Sequence, residues 1–368
     1  LNLSIISSGS DVAQFYPLTV TDIRRDTREA VVVTLAPPAD AADAFRFVQG
    51  QYLTFRRRFD GEEMRRSYSI CAGVDDGVLR VGVKRVEAGW FSTFMNEELK
   101  VGDTLDAMAP MGNFHVPLKP DVARRYLGFA GGSGVTPMIS LIRTIMAREP
   151  RSSFTLVYGN RATSAIMFRE ELEDLKNLHL GRLNIVHVLE SEAGEIELFS
   201  GRLDRDKCEA LFARWVDVKG ADVAFICGPE PMMIAVADAL KAHGFPETAI
   251  KFELFSSPRA ARARPRTEGA AAKSGGACAA RIVIDGAARD IAVAASGQSV
   301  LEAALANAID APYACKAGVC STCRAKLIEG EVDMEANYAL EDYEVERGYI
   351  LTCQSYPRTA KIIVDYDQ

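Results

Sequence analysis

Histidine is scarce in this chain of 368 residues: there are four, His115, His179, His187 and His243, and they are scattered. No acid–base dyad is visible among them, so chemistry built on a histidine base is not expected and none of the four is assigned a role. Long apolar runs are missing too. None reaches 18 residues, which excludes a membrane-spanning helix. The N-terminus lacks a basic stretch followed by an apolar one, so export is not expected. Excess positive charge is absent, since the net charge is −7, and this argues against nucleic acid as a partner. There is no internal repeat. Nor is there a disulfide framework: Cys71, Cys208, Cys227 and Cys278 are spread over about 200 residues, which suits a reducing cytoplasm. What is left is an ordinary globular composition, 48% apolar and 25% charged, with length for two or three domains, each with its own core.

The other four cysteines are crowded. Residues 312 to 323 read PYACKAGVCSTC, and Cys353 follows in ILTCQSYP. Cys315, Cys320, Cys323 and Cys353 have the spacing C-x4-C-x2-C, then 29 residues, then C, which is that of plant-type [2Fe–2S] proteins. Thiolates suit iron–sulfur chemistry, and Ala314, Ala317, Gly318 and Ser321 are small enough for the loop to wrap closely. A structural zinc site is the alternative, but zinc usually takes two short Cys pairs. A one-electron centre needs a donor and an acceptor.

Three blocks precede and contain that loop. Residues 12 to 121 are β-rich: FYPLTV, AVVVTLA, GQYLTF, RSYSIC and VLRVGVKRV are short runs separated by turn signals such as Phe-Asp-Gly, which predicts an antiparallel β-barrel or sandwich. One helix, GWFSTFMNEEL, is entered at Gly89. From 122 to 257, strands RYLGFA, FTLVYGN, LNIVHVLE, DVAFICG and AIKFELF alternate with helical segments. That pattern predicts a doubly wound parallel α/β sheet, with ligands at the carboxyl ends of its strands. Residues 258 to 279, rich in Pro, Arg, Ala and Gly, read as a linker. The block 280 to 368 opens with a hairpin, RIVID then RDIAVAA, followed by a capping box at Ser299 and Glu302. It carries 14 acids and 8 bases, a net of −6, whereas 259 to 279 carries +4. An acidic module on a basic tether suggests electrostatic docking, although a plain solvated surface reads equally well.

Two glycine-rich turns suit nucleotides. In GGSGVTP, residues 131 to 137, Gly132 and Gly134 let backbone approach a pyrophosphate, Thr136 is the expected N-cap and Pro137 the expected first helical residue. The next strand ends Tyr158-Gly159-Asn160-Arg161 with no acid, and Arg169 lies eight residues on; arginine in place of an acid favours NADPH. In the first block, Arg66-Ser67-Tyr68-Ser69 offers a phosphate partner, an aromatic face and a hydroxyl, and Gly89 to Ser92 opens a helix. By itself Cys227 reads as a small buried residue after a strand.

Taken in order, RxYS, GxxS, GGSGVTPM, YGNR, CGPEPMM, PYACKAGVCSTC and YILTCQ resemble the ferredoxin–NADP reductase superfamily in the form fused to a C-terminal plant-type ferredoxin. Within that group the chain is most similar to the reductase components of bacterial phenylacetyl-CoA epoxidases. The resemblance implies three domains: an antiparallel β-barrel FAD domain, an α/β NADP domain and a β-grasp (α+β) ferredoxin. It implies that Arg66, Tyr68 and Ser69 hold FAD, with Gly89 and Ser92 on its phosphates. Gly132, Gly134, Thr136, Pro137, Asn160, Arg161 and Arg169 fall to NADPH. Cys227, Gly228 and Pro229 are placed beside the nicotinamide, Glu253 is the neighbouring acid, and Ser69, Cys227 and Glu253 are the catalytic set. The four clustered cysteines hold the [2Fe–2S] cluster. Phe255 is the nearest candidate for a flavin-stacking aromatic.

The implied activity is electron transfer from NADPH to FAD, to the cluster, and on to a multicomponent oxygenase of phenylacetate catabolism, by a monomeric cytoplasmic protein. A flavin is needed between a two-electron donor and a one-electron centre. Two rivals remain: an NADH-using reductase of another oxygenase, and a non-enzymatic iron–sulfur carrier or redox sensor.

Overall fold

The structure, a computed structural model, describes residues 14–191, 196–255, 277–294, 297–340 and 342–368. From Phe15 onward they fall into two compact units, one within Phe15–Ser256 and one within Ser257–Gln368.

The first unit begins with six antiparallel strands: β1 (Phe15–Thr27), β2 (Ala30–Ala36), β3 (Tyr52–Phe59), β4 (Glu62–Ser69), β5 (Leu79–Lys84) and β6 (Thr104–Met108). Their order is β4-β3-β6-β1-β2-β5. The two edges meet just past β4, where Ile70 bridges Val81 and the Cys71 N–H donates to the Arg80 carbonyl at 2.9 Å, so the sheet closes into a barrel. The expected Phe-Asp-Gly turn joins β3 to β4 with Asp60 and Gly61 both at positive φ (49° and 87°), the backbone a two-residue hairpin demands. Strand β6 was not expected. It is five residues long and polar at alternate positions, and its pairing with both β1 and β3 overrides a weak local preference. Helix α1 (Trp90–Glu97) packs Phe91, Phe94 and Met95 into the barrel core.

Five parallel strands follow, β7 (Arg125–Gly131), β8 (Ser153–Asn160), β9 (Leu183–Leu189), β10 (Val223–Cys227) and β11 (Ile250–Glu253), in the order β11-β10-β7-β8-β9. Helices α2 (Val135–Arg148), α3 (Arg169–Leu178), α4 (Arg205–Arg214) and α5 (Glu230–Ala242) alternate with them. Because β7 lies between β8 and β10, the chain reverses direction across the sheet there. That point leaves a crevice at the carboxyl ends of the strands. Ala30, Val32 and Cys71 from the barrel side share one buried apolar cluster with Val135, Ile139 and Phe168, so barrel and sheet have a common core.

The second unit has a five-stranded mixed sheet in the order β13-β12-β18-β14-β16. Its strands are β12 (Cys278–Ile284), β13 (Ala287–Val293), β14 (Arg324–Glu329), β16 (Tyr349–Leu351) and β18 (Lys361–Asp365). A two-stranded ribbon joins β15 (Val332–Met334) to β17 (Ser355–Pro357), and α7 spans Asp342–Glu346. Helix α6 (Val300–Ala306) starts with the predicted capping box, in which Ser299 and Glu302 each satisfy an otherwise orphaned N–H. The small mixed sheet, a parallel β12–β18 pair with its other neighbours antiparallel, is the architecture expected for this block. Most of the predicted tether lies outside the described residues, and β12 already begins at Cys278, inside it.

Candidate active site and cluster loop

The turn after β7 is shaped by close backbone approach. A Cβ on Gly134 would lie 2.1 Å from the Cys227 carbonyl oxygen, and one on Gly228 would lie 2.9 Å from the Gly131 nitrogen. The ends of β7 and β10 therefore interlock, and only glycine fits. The expected capping differs from the observed one. Gly132 to Gly134 form a short 3-10 turn, Gly134 is the N-cap, and α2 begins at Val135. Thr136 instead donates its hydroxyl to the Ser133 carbonyl at 2.9 Å, and Pro137 is the third helical residue. Because the tight turn already supplies helical backbone, the helix starts two residues earlier than a Thr–Pro signal implies. Pro229 is the N-cap of α5, as its missing N–H allows.

At the same strand ends, Cys227 is in register with Ala130 on one side and Glu253 on the other. Ser69, at the end of β4, donates to Glu253 Oε2 at 2.8 Å. The three predicted catalytic residues are thus brought to one point from two sheets. Burial pushes the Glu253 carboxyl up to about 8, against the lowering effect of the Ser69 bond. Burial, with the Glu253 charge beside it, also raises the Cys227 thiol far above its usual range. Cys227 is a neutral, small side chain here, suited to shaping a pocket and not to nucleophilic attack.

Asn160 is 8% exposed, and neither carboxamide atom has a full hydrogen-bond partner, although the Tyr158 hydroxyl is nearby. Orphaned buried polar atoms are costly; at a strand end beside a glycine turn they fit a nucleotide. Arg161 next to it is exposed. Arg169 is engaged, its Nε donating to Glu173 at 3.1 Å. Two residues of this site were not foreseen. Tyr158 donates to the Gly132 carbonyl at 2.9 Å, fixing the turn, and Lys84 Nζ lies 3.9 Å from where a Gly132 Cβ would stand. A lysine closing the alternating run VGVK was the only available signal for the second.

On the barrel, Tyr68 packs against Phe55 and Phe91 with ring centroids 6.2 and 6.0 Å away, and no described protein group bonds its hydroxyl, a fit to an aromatic ligand with polar edges. Arg66 is exposed, its Nη1 on the Arg65 carbonyl at 2.7 Å. Ser92 Oγ accepts from the Val86 N–H and donates to the Gly89 carbonyl, both at 3.0 Å. It therefore holds the loop into α1 in shape and leaves the helix N–H groups to meet phosphate. Phe255 is 40% exposed, two residues past Glu253.

In the second unit, the Ala317 N–H donates to Cys315 Sγ at 3.3 Å and the Cys315 N–H to Cys320 Sγ at 3.5 Å. The Cys320 thiol, then backbone N–H groups outweighing burial, pull Cys315 toward its thiolate form. Cys323 and Cys353 form a second contacting pair. Among the described residues no three acid, histidine or cysteine side chains surround one point. Two pairs of thiols are instead what two irons, each with two protein ligands, require. Gly318 at φ 74° lets the loop pass the Ala336 carbonyl, which a Cβ would approach to 2.7 Å.

Three family models match in succession: an oxidoreductase FAD-binding domain over residues 18–116, an oxidoreductase NAD-binding domain over 129–238, and a 2Fe-2S iron-sulfur cluster binding domain over 282–358. The chain is 41% identical over 353 residues to a component of the 1,2-phenylacetyl-CoA epoxidase of Escherichia coli strain K12, covering 96% of this chain and 98% of that one. The chain belongs to the family of FAD- and NAD(P)H-binding reductases fused to a 2Fe-2S ferredoxin domain.

Another relative in this reductase family is the ferredoxin reductase component of 3-ketosteroid-9-alpha-monooxygenase from Mycolicibacterium smegmatis, 33% identical with 98% of each chain covered. The fold is shared with phthalate dioxygenase reductase, at a TM-score of 0.58 and 24% identity over 95% of this chain and 98% of that one. This reductase is an NADPH/FAD/[2Fe–2S] electron-transfer enzyme, a component serving a separate oxygenase. Among the described residues no helix is long and apolar enough to cross a membrane.

Proposed function

We propose that this reductase draws electrons from NADPH and delivers them to an epoxidase acting on phenylacetyl-CoA, as a monomer in the cytoplasm. The observation that carries the reading is the meeting of Ser69, Glu253 and Cys227 at the crevice between barrel and parallel sheet. A flavin held there would supply the conversion between a two-electron nicotinamide donor and a one-electron [2Fe–2S] centre.

The chain's own residues position and tune. Tyr68 packs on the flavin ring, Arg66 and the N–H groups after Gly89 take the FAD phosphates, and Ser92 keeps that loop folded. Gly132, Gly134 and the start of α2, with Thr136 and Pro137, receive the NADPH pyrophosphate, and Lys84 adds a positive charge beside them. Asn160 bonds the nucleotide through its unpaired carboxamide, and Arg161 pairs with the 2′-phosphate. Arg169 contributes only if it leaves Glu173. Gly228 and Pro229 wall the nicotinamide site, Cys227 keeps it narrow and apolar, and Ser69 with Glu253 holds a proton at its edge. Cys315, Cys320, Cys323 and Cys353 hold the cluster, with the Ala317 and Cys315 N–H groups stabilising sulfur charge.

Anaerobic addition of NADPH to the purified, air-isolated protein tests this. The visible absorbance should bleach, with FAD, iron and sulfide each present, and a phenylacetyl-CoA epoxidase oxygenase should turn over when the two are mixed. A colourless protein, or one that NADPH does not bleach, overturns the proposal. A protein that bleaches yet supports only a different oxygenase overturns the choice of partner.

A further inference from the structure

Away from the reacting groups, three arginines from three elements converge on one carboxylate. Glu171, in the first turn of α3, accepts from Arg24 of β1 at 2.6 Å, from Arg80 of β5 at 2.5 and 3.3 Å, and from Arg143 of α2 at 2.9 Å. Two of these arginines belong to the barrel and one to the sheet half. Arg24 also reaches Asp26 at 3.2 Å and Arg143 reaches Asp76 at 3.3 Å, so three positive and three negative charges form one network. The side chains of Glu171, Arg80 and Arg143 are only 18%, 16% and 25% exposed. At that depth an ion pair is poorly screened, and removing the shared acid strands its partners. Burial acts to raise the Glu171 carboxyl, but Arg80 and Arg143 outweigh it and hold it below its ordinary value.

The backbone beside the network is strained. Phe168, immediately before α3, is a buried aromatic at φ 56°. A bulky residue persists in that region only where its surroundings impose it. Here Asp26 of the barrel accepts the Phe168 N–H at 2.9 Å. The Phe168 ring and Thr136 close on barrel Gly82, whose Cβ would meet them at 3.0 and 2.8 Å. The sheet order gives this contact its meaning. Ser69 and Glu253 tie the barrel to the β11 flank, and Glu171 ties it to the flank after β8. The nucleotide turn after β7 lies between the two ties.

We infer that Glu171 is a positioning residue: by gathering Arg24, Arg80 and Arg143 it sets the angle at which barrel and sheet meet, and hence how squarely the nicotinamide reaches the flavin. The inference rests on the cofactor reading above, but Glu171 and the three arginines it gathers are not among the residues proposed to touch either cofactor.

The test uses the full chain loaded with FAD and cluster. Glu171→Gln keeps the shape and removes the charge; Glu171→Asp keeps the charge on a shorter arm. For Glu171→Gln, FAD content should equal that of the wild type. The stopped-flow rate of flavin reduction by saturating NADPH should fall about tenfold or more, since small misplacements of reacting groups are costly. The long-wavelength absorbance of stacked nicotinamide and flavin should weaken in parallel, with partial recovery of both in Glu171→Asp. Reduction within about twofold of wild type, or slower reduction with the stacking absorbance intact, overturns the inference. If Glu171→Gln does not fold, Arg24→Gln, which removes one partly exposed barrel arginine, must show the same paired losses to a smaller degree, and their absence overturns it. A wild-type protein that lacks FAD would refute the cofactor reading instead.

Discussion

Ser69 Oγ donates to Glu253 Oε2 at 2.8 Å, which hydrogen-bonds the last residue of a barrel strand to the last residue of the parallel sheet. The pair spans 184 positions of sequence. It places a hydroxyl and a carboxyl with a raised proton affinity where flavin and nicotinamide meet in the proposed scheme. Burial pushes the Glu253 carboxyl up to about 8, so it carries its proton at neutral pH.

That protonation has a consequence for stability. An ordinary unfolded glutamate ionises near 4.5, whereas folded Glu253 holds its proton to about 8. Across this window the native state binds more protons than the unfolded one, so raising the pH lowers stability. In Glu253→Gln this dependence should vanish. Unfolding midpoints measured from pH about 4.5 to about 8 check it; equal slopes in both proteins would refute the raised affinity.

Arg161→Ala should raise KM for NADPH by about tenfold and leave KM for NADH little changed, as expected for a lost charge-assisted phosphate contact. Steady-state assays with ferricyanide as acceptor report both values. Equal effects on the two nucleotides would remove Arg161 from the 2′-phosphate site.

Gly134→Ala adds a Cβ 2.1 Å from the Cys227 carbonyl oxygen. Backbone lies on both sides of the contact, so neither can yield cheaply, and a loss of about 2–3 kcal/mol is expected. Denaturant unfolding would show it. Gly61→Ala is the control for backbone strain alone, since no atom lies within 4 Å of the Cβ there although φ is 87°.

Cys353→Ser removes half of the Cys323–Cys353 pair. Iron and sulfide analysis should show loss of the cluster, while NADPH still bleaches the flavin. Loss of flavin reduction as well would mean that the two units do not function independently.

The reach of sequence reasoning differs from element to element. The cysteine loop, the Asp60–Gly61 hairpin and the Ser299–Glu302 cap were legible because each is a contact among residues a few positions apart, with a backbone or ligand requirement few residue types meet. The parallel sheet followed from strand–helix alternation, whereas its strand order, β11-β10-β7-β8-β9, came only from the structure. Strand β6 was not legible, because five residues with only two positions in the barrel core become a strand only when β1 and β3 are already on either side. The helix start at Val135 was misread by two residues, since the glycine turn supplies helical backbone of its own.

The chain's linear pattern therefore determined which cofactors this protein is built for and which short segments face them, because motif chemistry is local. Tertiary structure alone decided that Gly134 must fit under Cys227, that Lys84 reaches the glycine turn, and that Glu171 draws arginines from both halves. Those contacts join residues dozens to more than a hundred positions apart, and such pairs acquire an energy only once folding has brought them within a few ångströms.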